Sequence, residues 1–403
     1  MAISFDLDEG QALLQTSVRE FLEKECPETL VRESEQSDLG YSHPLWQKLA
    51  DVGFLGLGIP EPYGGAGSTF FDLGLFFEQA GRVLMPGPQL ATLAIAAQAI
   101  AGNGTEEQKQ RYLPGIASGQ VLFAFALNER NGESLPQAVE TTADRDGDAY
   151  VIDGTKMFIK DTAAATHLLV TARTDGSARV GGLARTDGSA RVGGSARSDR
   201  PAAPEGGLTN FIVDATLPGI DIRRYRVLSG DLLAEVRFDH VRVPAAELLG
   251  EPGRGWDELQ PALDKGKACL AAHMAGAADA LMWKTVEYMN QRVTFGRPIS
   301  SYQALQHRMA TVAQLVYGAR HLAYNVLWKL SEGIPCSDEV AMAKFFASDA
   351  YRQTTNESHQ FHGAYGYSLE YSVQLYWRRM RLDEVILGDS LMERESAAAA
   401  LGI

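Results

Sequence analysis

Over the first 120 residues, apolar positions recur without the strict alternation of a half-buried strand. Gln11–Glu25, Pro44–Val52, Thr69–Val83 and Thr105–Ser118 mix apolar and charged residues, which predicts helices. Between two of them, Pro60, Pro62, Gly64, Gly65 and Gly67 punctuate IPEPYGGAG and predict a loop. The pattern then changes. Val121–Leu127, Tyr150–Gly154, His167–Arg173, Leu208–Ala215 and Ala234–Val243 are short apolar or alternating runs. Turn-rich stretches such as DRDGDAY separate them, as expected of antiparallel strands. From Gly255 onward the helical pattern returns. Met282, Val286, Met289 and Val293 step by four, three and four, and Leu305, Met309, Val312 and Val316 repeat the step. The expected fold class is α+β: a helical domain over residues 1–120, an antiparallel β domain over 121–243 and a helical bundle over 244–403.

One stretch breaks this scheme. Ala172–Leu183 reads ARTDGSARVGGL, and Ala184–Ser195 repeats it almost unchanged. The unit is too short and too polar for a stacked repeat architecture. It reads as an expanded loop between two strands, with a partner-binding loop as the alternative.

Composition narrows the function classes. With 403 residues and 45% hydrophobic content, the chain can bury a large core. Its net charge of −14 repels nucleic-acid phosphates and anionic membranes, so an anionic ligand needs a local basic pocket. The three cysteines, Cys26, Cys269 and Cys336, form no CxxC pair and fit a reducing compartment. The N-terminus lacks the apolar run of a secretion signal, and no apolar stretch is long enough to span a bilayer, so a cytoplasmic location is expected.

Three motif groups spread over the chain carry a resemblance: IPEPYGG with FEQAGR and FALNERNGES, then RVTFGRPISSYQALQH, then QFHGAYGYSLEYSVQLYWRRMR. GTKMFIKD and VRVPAAELLGEPGRGW support it. Together they resemble the acyl-CoA dehydrogenase family, and the resemblance covers nearly the full length. It implies FAD as cofactor and an acyl-CoA thioester as substrate. It also implies a homo- or heterotetramer and an electron-transferring flavoprotein as electron acceptor. In that chemistry a carboxylate removes the α proton while the β hydride passes to the flavin.

The resemblance also assigns residues. Leu127, Asn128 and Ser134 fall in the loop expected near flavin and thioester, although Asn128 stands where the family has Thr. Phe158 takes the place of an aromatic against the flavin, and Lys160 replaces a hydroxyl residue. Arg292 and Phe295 resemble groups that reach FAD across a dimer interface, and Gln303 resembles a contact to the adenosine half. Arginine suits a pyrophosphate because its guanidinium forks and stays charged. Gln360, Gly363 and Gly366 form a Gln-x-x-Gly-x-x-Gly loop. Asp264 and Lys267 match positions that hold the CoA pantetheine. His307 and His362 read as framework residues.

The usual base does not appear. Without gaps from Gln360, the family's Glu falls on Leu387, and the alternative position on the long helix falls on Gly266. Asp389 and Glu384 lie near the empty position and are the weak substitutes. Three readings follow. A partner chain supplies the base, as in bacterial enzymes for bulky acyl-CoAs such as steroid side chains, and this chain completes the partner's FAD site. Alternatively, one of these acids substitutes. Or the fold hosts other flavin chemistry, such as monooxygenation.

Overall fold

The computed structural model describes residues 7–132, 134–174 and 207–402. Most of the duplicated stretch, from 175 onward, lies outside the described residues.

The N-terminal part comprises α1 (Glu9–Glu25), α2 (Glu28–Gln36), α3 (His43–Asp51), α4 (Phe70–Arg82), α5 (Ala97–Asn103) and α6 (Glu106–Ala117). Local chemistry sets where these helices begin. Asp8 accepts the Gln11 N–H at 2.8 Å, and the Gln11 side chain accepts the Asp8 N–H at 3.1 Å, closing a capping box on α1. Thr105 and Gln108 do the same for α6. A π-helical stretch, Leu90–Ala96, leads into α5.

The middle forms one eight-stranded sheet. Its strands are β1 (Phe123–Ala126), β2 (Thr142–Asp146), β3 (Ala149–Lys160), β4 (His167–Arg173), β5 (Leu208–Asp214), β6 (Ile220–Arg226), β7 (Leu232–Pro244) and β8 (Leu248–Leu249). The order is β6-β7-β3-β2-β4-β5-β8, with β1 against β4. Pairing is antiparallel except that β4 runs parallel to β1 and meets β2 in parallel at one position. The chain leaves β1, builds the β2–β3 hairpin and returns beside β1, so the two pairings of β4 with β1 and β2 depart from the expected antiparallel pattern. β3 shifts register between Lys156 and Ile159. That bulge contains Phe158, whose φ is +60° and whose ring is exposed.

The C-terminal part comprises α7 (Gly255–Gln291), a small hairpin of β9 (Val293–Thr294) and β10 (Arg297–Pro298), then α8 (Gln303–Ser331), α9 (Ser337–His362), α10 (Ala364–Tyr367), α11 (Val373–Asp383) and α12 (Ser390–Leu401). The two helical parts share one apolar core, and the sheet has its own around Ile152, Phe211 and Phe238. Glu78, almost fully buried, ties helices together. It accepts from Gln15 on α1 at 2.8 Å, Tyr324 on α8 at 2.8 Å and Arg320 on α8 at 2.7 Å. No described helix is long and apolar enough to cross a membrane.

Helices α4 and α7 touch backbone to backbone through two glycines. A Cβ on Gly276 would overlap the Glu78 carbonyl oxygen, and one on Gly81 would overlap that of His273. Gly276→Ala is therefore expected to destabilise the fold by about 1–3 kcal/mol through overpacking. The shift of the urea midpoint measures this, and an unchanged midpoint would show that the helices part without cost.

Candidate functional site

The bundle gathers the expected dinucleotide residues at one end. The C-terminus of α7, the N-terminus of α8 and the C-terminus of α9 meet there. Tyr288 stacks on His362 with ring centroids 4.2 Å apart, and Arg308 pairs with Glu357 at 2.5 Å. Arg292 caps α7. In the adjoining hairpin, Phe295 and Gly296 carry φ of +51° and +78°. Two consecutive positive φ values between paired strands match the mirror-image turn that suits a two-residue hairpin. Glycine adopts this conformation freely, whereas an aromatic residue does so rarely. The Phe295 ring is held in the open, 92% exposed. Tyr302 braces the hairpin by donating to the Thr294 carbonyl at 2.8 Å.

Gln303 opens α8, and Gln360 sits near the end of α9; both are exposed. Gly363 takes φ +60°, ψ −134° and ends α9. Gly366 is buried, and a Cβ there would lie 3.2 Å from His359 Cα. Arg292 is exposed and forms no ion pair among the described residues. A free guanidinium, an uncovered aromatic ring and exposed amides make a donor set that fits a dinucleotide arriving from outside this chain. An apolar cleft of about 330 Å³ between α7 and α8, lined by Trp283, Met289 and Tyr317 among others, opens beside it. His307 is exposed. His362 is buried and bonded through Nδ1 to the Ser358 carbonyl at 2.8 Å, a framework position.

The loop after β1 is held differently. Leu127 is buried, and Asn128 Oδ1 accepts from the Ser134 hydroxyl at 2.9 Å. Beneath them lies a group that sequence reasoning did not single out. Lys156, fully buried, donates to Glu129 at 2.8 Å and to the Leu127 carbonyl at 3.1 Å. Glu129 also accepts the N–H groups of Glu140 and Thr141 and the Thr141 hydroxyl. The inward-pointing lysine in GTKMFIKD was the available signal.

The two positions expected to carry a base meet in space. A Cβ on Gly266 would lie 3.0 Å from Leu387 Cδ1 and 3.0 Å from Ile95 Cγ1. The Leu387 backbone sits at φ +60°. The ammonium of Lys344 holds this segment by donating to the carbonyls of Asp383, Glu384 and Gly388, each at 3.2 Å. Burial lowers the Lys344 pKa to about 8. The nearby acids are engaged elsewhere. Glu384 pairs with Arg352 at 2.6 Å, and Asp389 caps α12, accepting from Leu391 and Met392 at 2.9 Å each.

Beside this point is a cavity of about 40 Å³. Leu270, one turn after Gly266, and Ile386, next to Leu387, help to line it. So do five ionisable groups: Lys160, Asp231, His273, Arg379 and Asp383. Lys160 lies 3.1 Å from Asp161 and 3.4 Å from Asp231 and donates to the Gly87 carbonyl at 3.3 Å. Arg379 lies 3.3 Å from Asp231 and 3.6 Å from Glu35. Burial opposes ionisation of Asp231, yet Arg379 and Lys160 prevail and hold its carboxyl at about 2. Burial, reinforced by Asp231, pushes Asp383 up to about 7. Burial, with Arg379 and Lys160, drives His273 down to about 3, so its ring is neutral at pH 7.

The expected CoA pair is also occupied within the chain. Asp264 is buried and accepts from Gln260 at 2.8 Å and Ser337 at 2.6 Å, while Lys267 pairs with Glu393 at 2.7 Å.

Comparison with known proteins agrees with this architecture. Residues 8–120 match "Acyl-CoA dehydrogenase, N-terminal domain", and residues 253–402 match "Acyl-CoA dehydrogenase, C-terminal domain". The chain belongs to the acyl-CoA dehydrogenase family. It is 31% identical to the probable acyl-CoA dehydrogenase YngJ of Bacillus subtilis, over 97% of this chain and 98% of that one. Among solved structures it resembles butyryl-CoA dehydrogenase from Megasphaera elsdenii (TM-score 0.85, 28% identity, 100% of both chains). It also resembles a variant of the Tcur3481-Tcur3483 steroid ACAD (TM-score 0.83, 26% identity, 98% of both chains).

Proposed function

We propose that this chain is one subunit of a heteromeric, FAD-dependent acyl-CoA dehydrogenase and that a related partner chain supplies the catalytic carboxylate. One observation carries the reading: Gly266 faces the side chains of Leu387 and Ile95, so both places where a base is expected hold hydrocarbon. Of the two expected substitutes, Glu384 pairs with Arg352 and Asp389 caps α12.

FAD, when bound, accepts the hydride lost from the β carbon. This chain's part is to hold it. Arg292 would meet pyrophosphate charge, Phe295 would cover an apolar face, Gln303 would face the adenosine half, and the Gln360–Gly366 loop would let backbone approach the dinucleotide closely. All of these groups are exposed or border the exposed end of the bundle, as a contribution to a neighbour's site requires. The loop with Asn128 and Ser134, and Phe158 on its bulge, are the groups that would meet a flavin in this chain's own half. Likeness to a steroid ACAD whose name joins two designations supports a paired enzyme and a bulky acyl group. An electron-transferring flavoprotein is the expected electron acceptor.

Purification alone and with a paralogous chain bearing Glu at the position equivalent to Leu387 tests this. The expected result is a colourless single chain and a yellow, acyl-CoA-bleached complex with fewer flavins than chains. A yellow homo-oligomer that dehydrogenates acyl-CoA unaided would overturn it.

A further inference from the structure

We infer that a buried polar cluster built from Lys160, Asp231, His273, Arg379 and Asp383 closes the acyl cavity of this chain, so that it admits no acyl tail of its own. The inference rests on the paired-subunit reading and extends it from the missing base to the missing substrate pocket.

Position comes first. The cavity adjoins the point where Leu387 meets Gly266, and Leu270 and Ile386 belong to its wall. An acyl chain whose α carbon faced Leu387 would run into this space. Size comes second. The space is about 40 Å³, whereas pockets for small ligands run to about 300–1,000 Å³. It holds on the order of a few waters.

Chemistry comes third. The groups that fill the region come from three parts of the chain: Lys160 and Asp231 from the β domain, His273 from α7, and Arg379 and Asp383 from α11. Asp231 bridges Lys160 and Arg379, and His273 Nε2 lies 3.7 Å from Asp383. Asp231 Oδ2, Asp383 Oδ2, Arg379 Nε and Gln89 Oε1 have no hydrogen-bond partner within the protein. A hydrocarbon tail would have to displace water from these atoms or break the ion pairs, and burying unpaired polar groups is unfavourable.

Equilibrium dialysis of the purified full chain with octanoyl-CoA and with free CoA decides the matter. An open cavity that buries even four methylenes raises affinity on the order of 100-fold. The expected result is a ratio within about threefold, or no measurable binding of either, since the tail then gains no contact. Octanoyl-CoA binding more than about tenfold tighter than CoA would overturn the inference. A second measurement uses the assembled enzyme. An acyl-CoA with a terminal diazirine is photolysed on the complex and the labelled peptides are identified. No label is expected at Leu84, Met85, Leu90 or Leu270, which line the cavity, and label there would overturn it. The two readings fail separately. A self-sufficient homo-oligomer that oxidises only propionyl-CoA would refute the paired enzyme and leave the closed cavity standing. A paired enzyme whose base-less chain takes up octanoyl-CoA would do the reverse.

Discussion

Lys156→Met is expected to destabilise the protein by about 3–5 kcal/mol, because it strands a buried carboxylate. Lys156 is fully buried, and its ammonium is the only cation paired with Glu129 among the described residues. Burial alone would push the Glu129 carboxyl up; Lys156 and the bonds from Thr141 outweigh that and hold it below its ordinary value. Without the lysine, Glu129 must ionise unpaired or take up a proton and loosen its hold on the Glu140 and Thr141 N–H groups. The loop with Asn128 and Ser134 rests on that lattice, so its order should fall together with stability. Pairing the change with Glu129→Leu removes the stranded charge and should recover part of the loss. Urea denaturation of the single and double variants provides the check, and equal losses in both would refute the pairing.

Arg292→Ala should have a large effect on cofactor and almost none on folding. The guanidinium is exposed and has no ion partner among the described residues, so its loss removes no internal bond. If it clasps pyrophosphate in the assembled enzyme, one charged hydrogen-bonding group is worth about 1.5–3 kcal/mol, or roughly 10–100-fold in FAD affinity. Arg292→Lys should recover only part, because an ammonium cannot fork across two phosphate oxygens. Phe295→Ala should act in the same direction and more weakly. Flavin fluorescence on dilution of the complex reads the affinity. Unchanged FAD retention with Arg292→Ala would place the dinucleotide elsewhere.

Much of the architecture was legible in the chain because burial follows period. Met282, Val286 and Met289 lie on α7, although Val293, the expected fourth member of that stripe, falls past the helix end on β9 and is exposed. The Leu305–Val316 stripe lies on α8, and the apolar runs at His167–Arg173 and Leu208–Ala215 became paired neighbours β4 and β5. β6 was missed because it is an edge strand: IDIRRYR alternates, but its polar residues face solvent and resemble a loop. The gathering of Arg292, Gln303 and the Gln360 loop at one end was also foreseeable, since antiparallel helices bring those termini together. What could not be read was partnership among charges. Asp264 and Lys267 matched positions that hold the CoA pantetheine, yet they are engaged within the chain by Ser337 and Glu393, which lie far along it. Lys160 looked like a substitution at a flavin contact, and only the fold shows its ammonium turned toward Asp161 and Asp231. Pairing of this kind depends on tertiary proximity, which no local pattern encodes.

The left-handed backbone at Leu387 bears on how reversible this state is. A β-carbon-bearing residue at positive φ is strained, and here Lys344 grips the surrounding carbonyls and keeps the bend in place. The scaffold thus still aims whatever stands at position 387 toward Gly266. On the paired-subunit reading, what separates an inert cradle from a proton-accepting one is, at that spot, a single side chain, and the crowded charges next door set the distance back to chemistry.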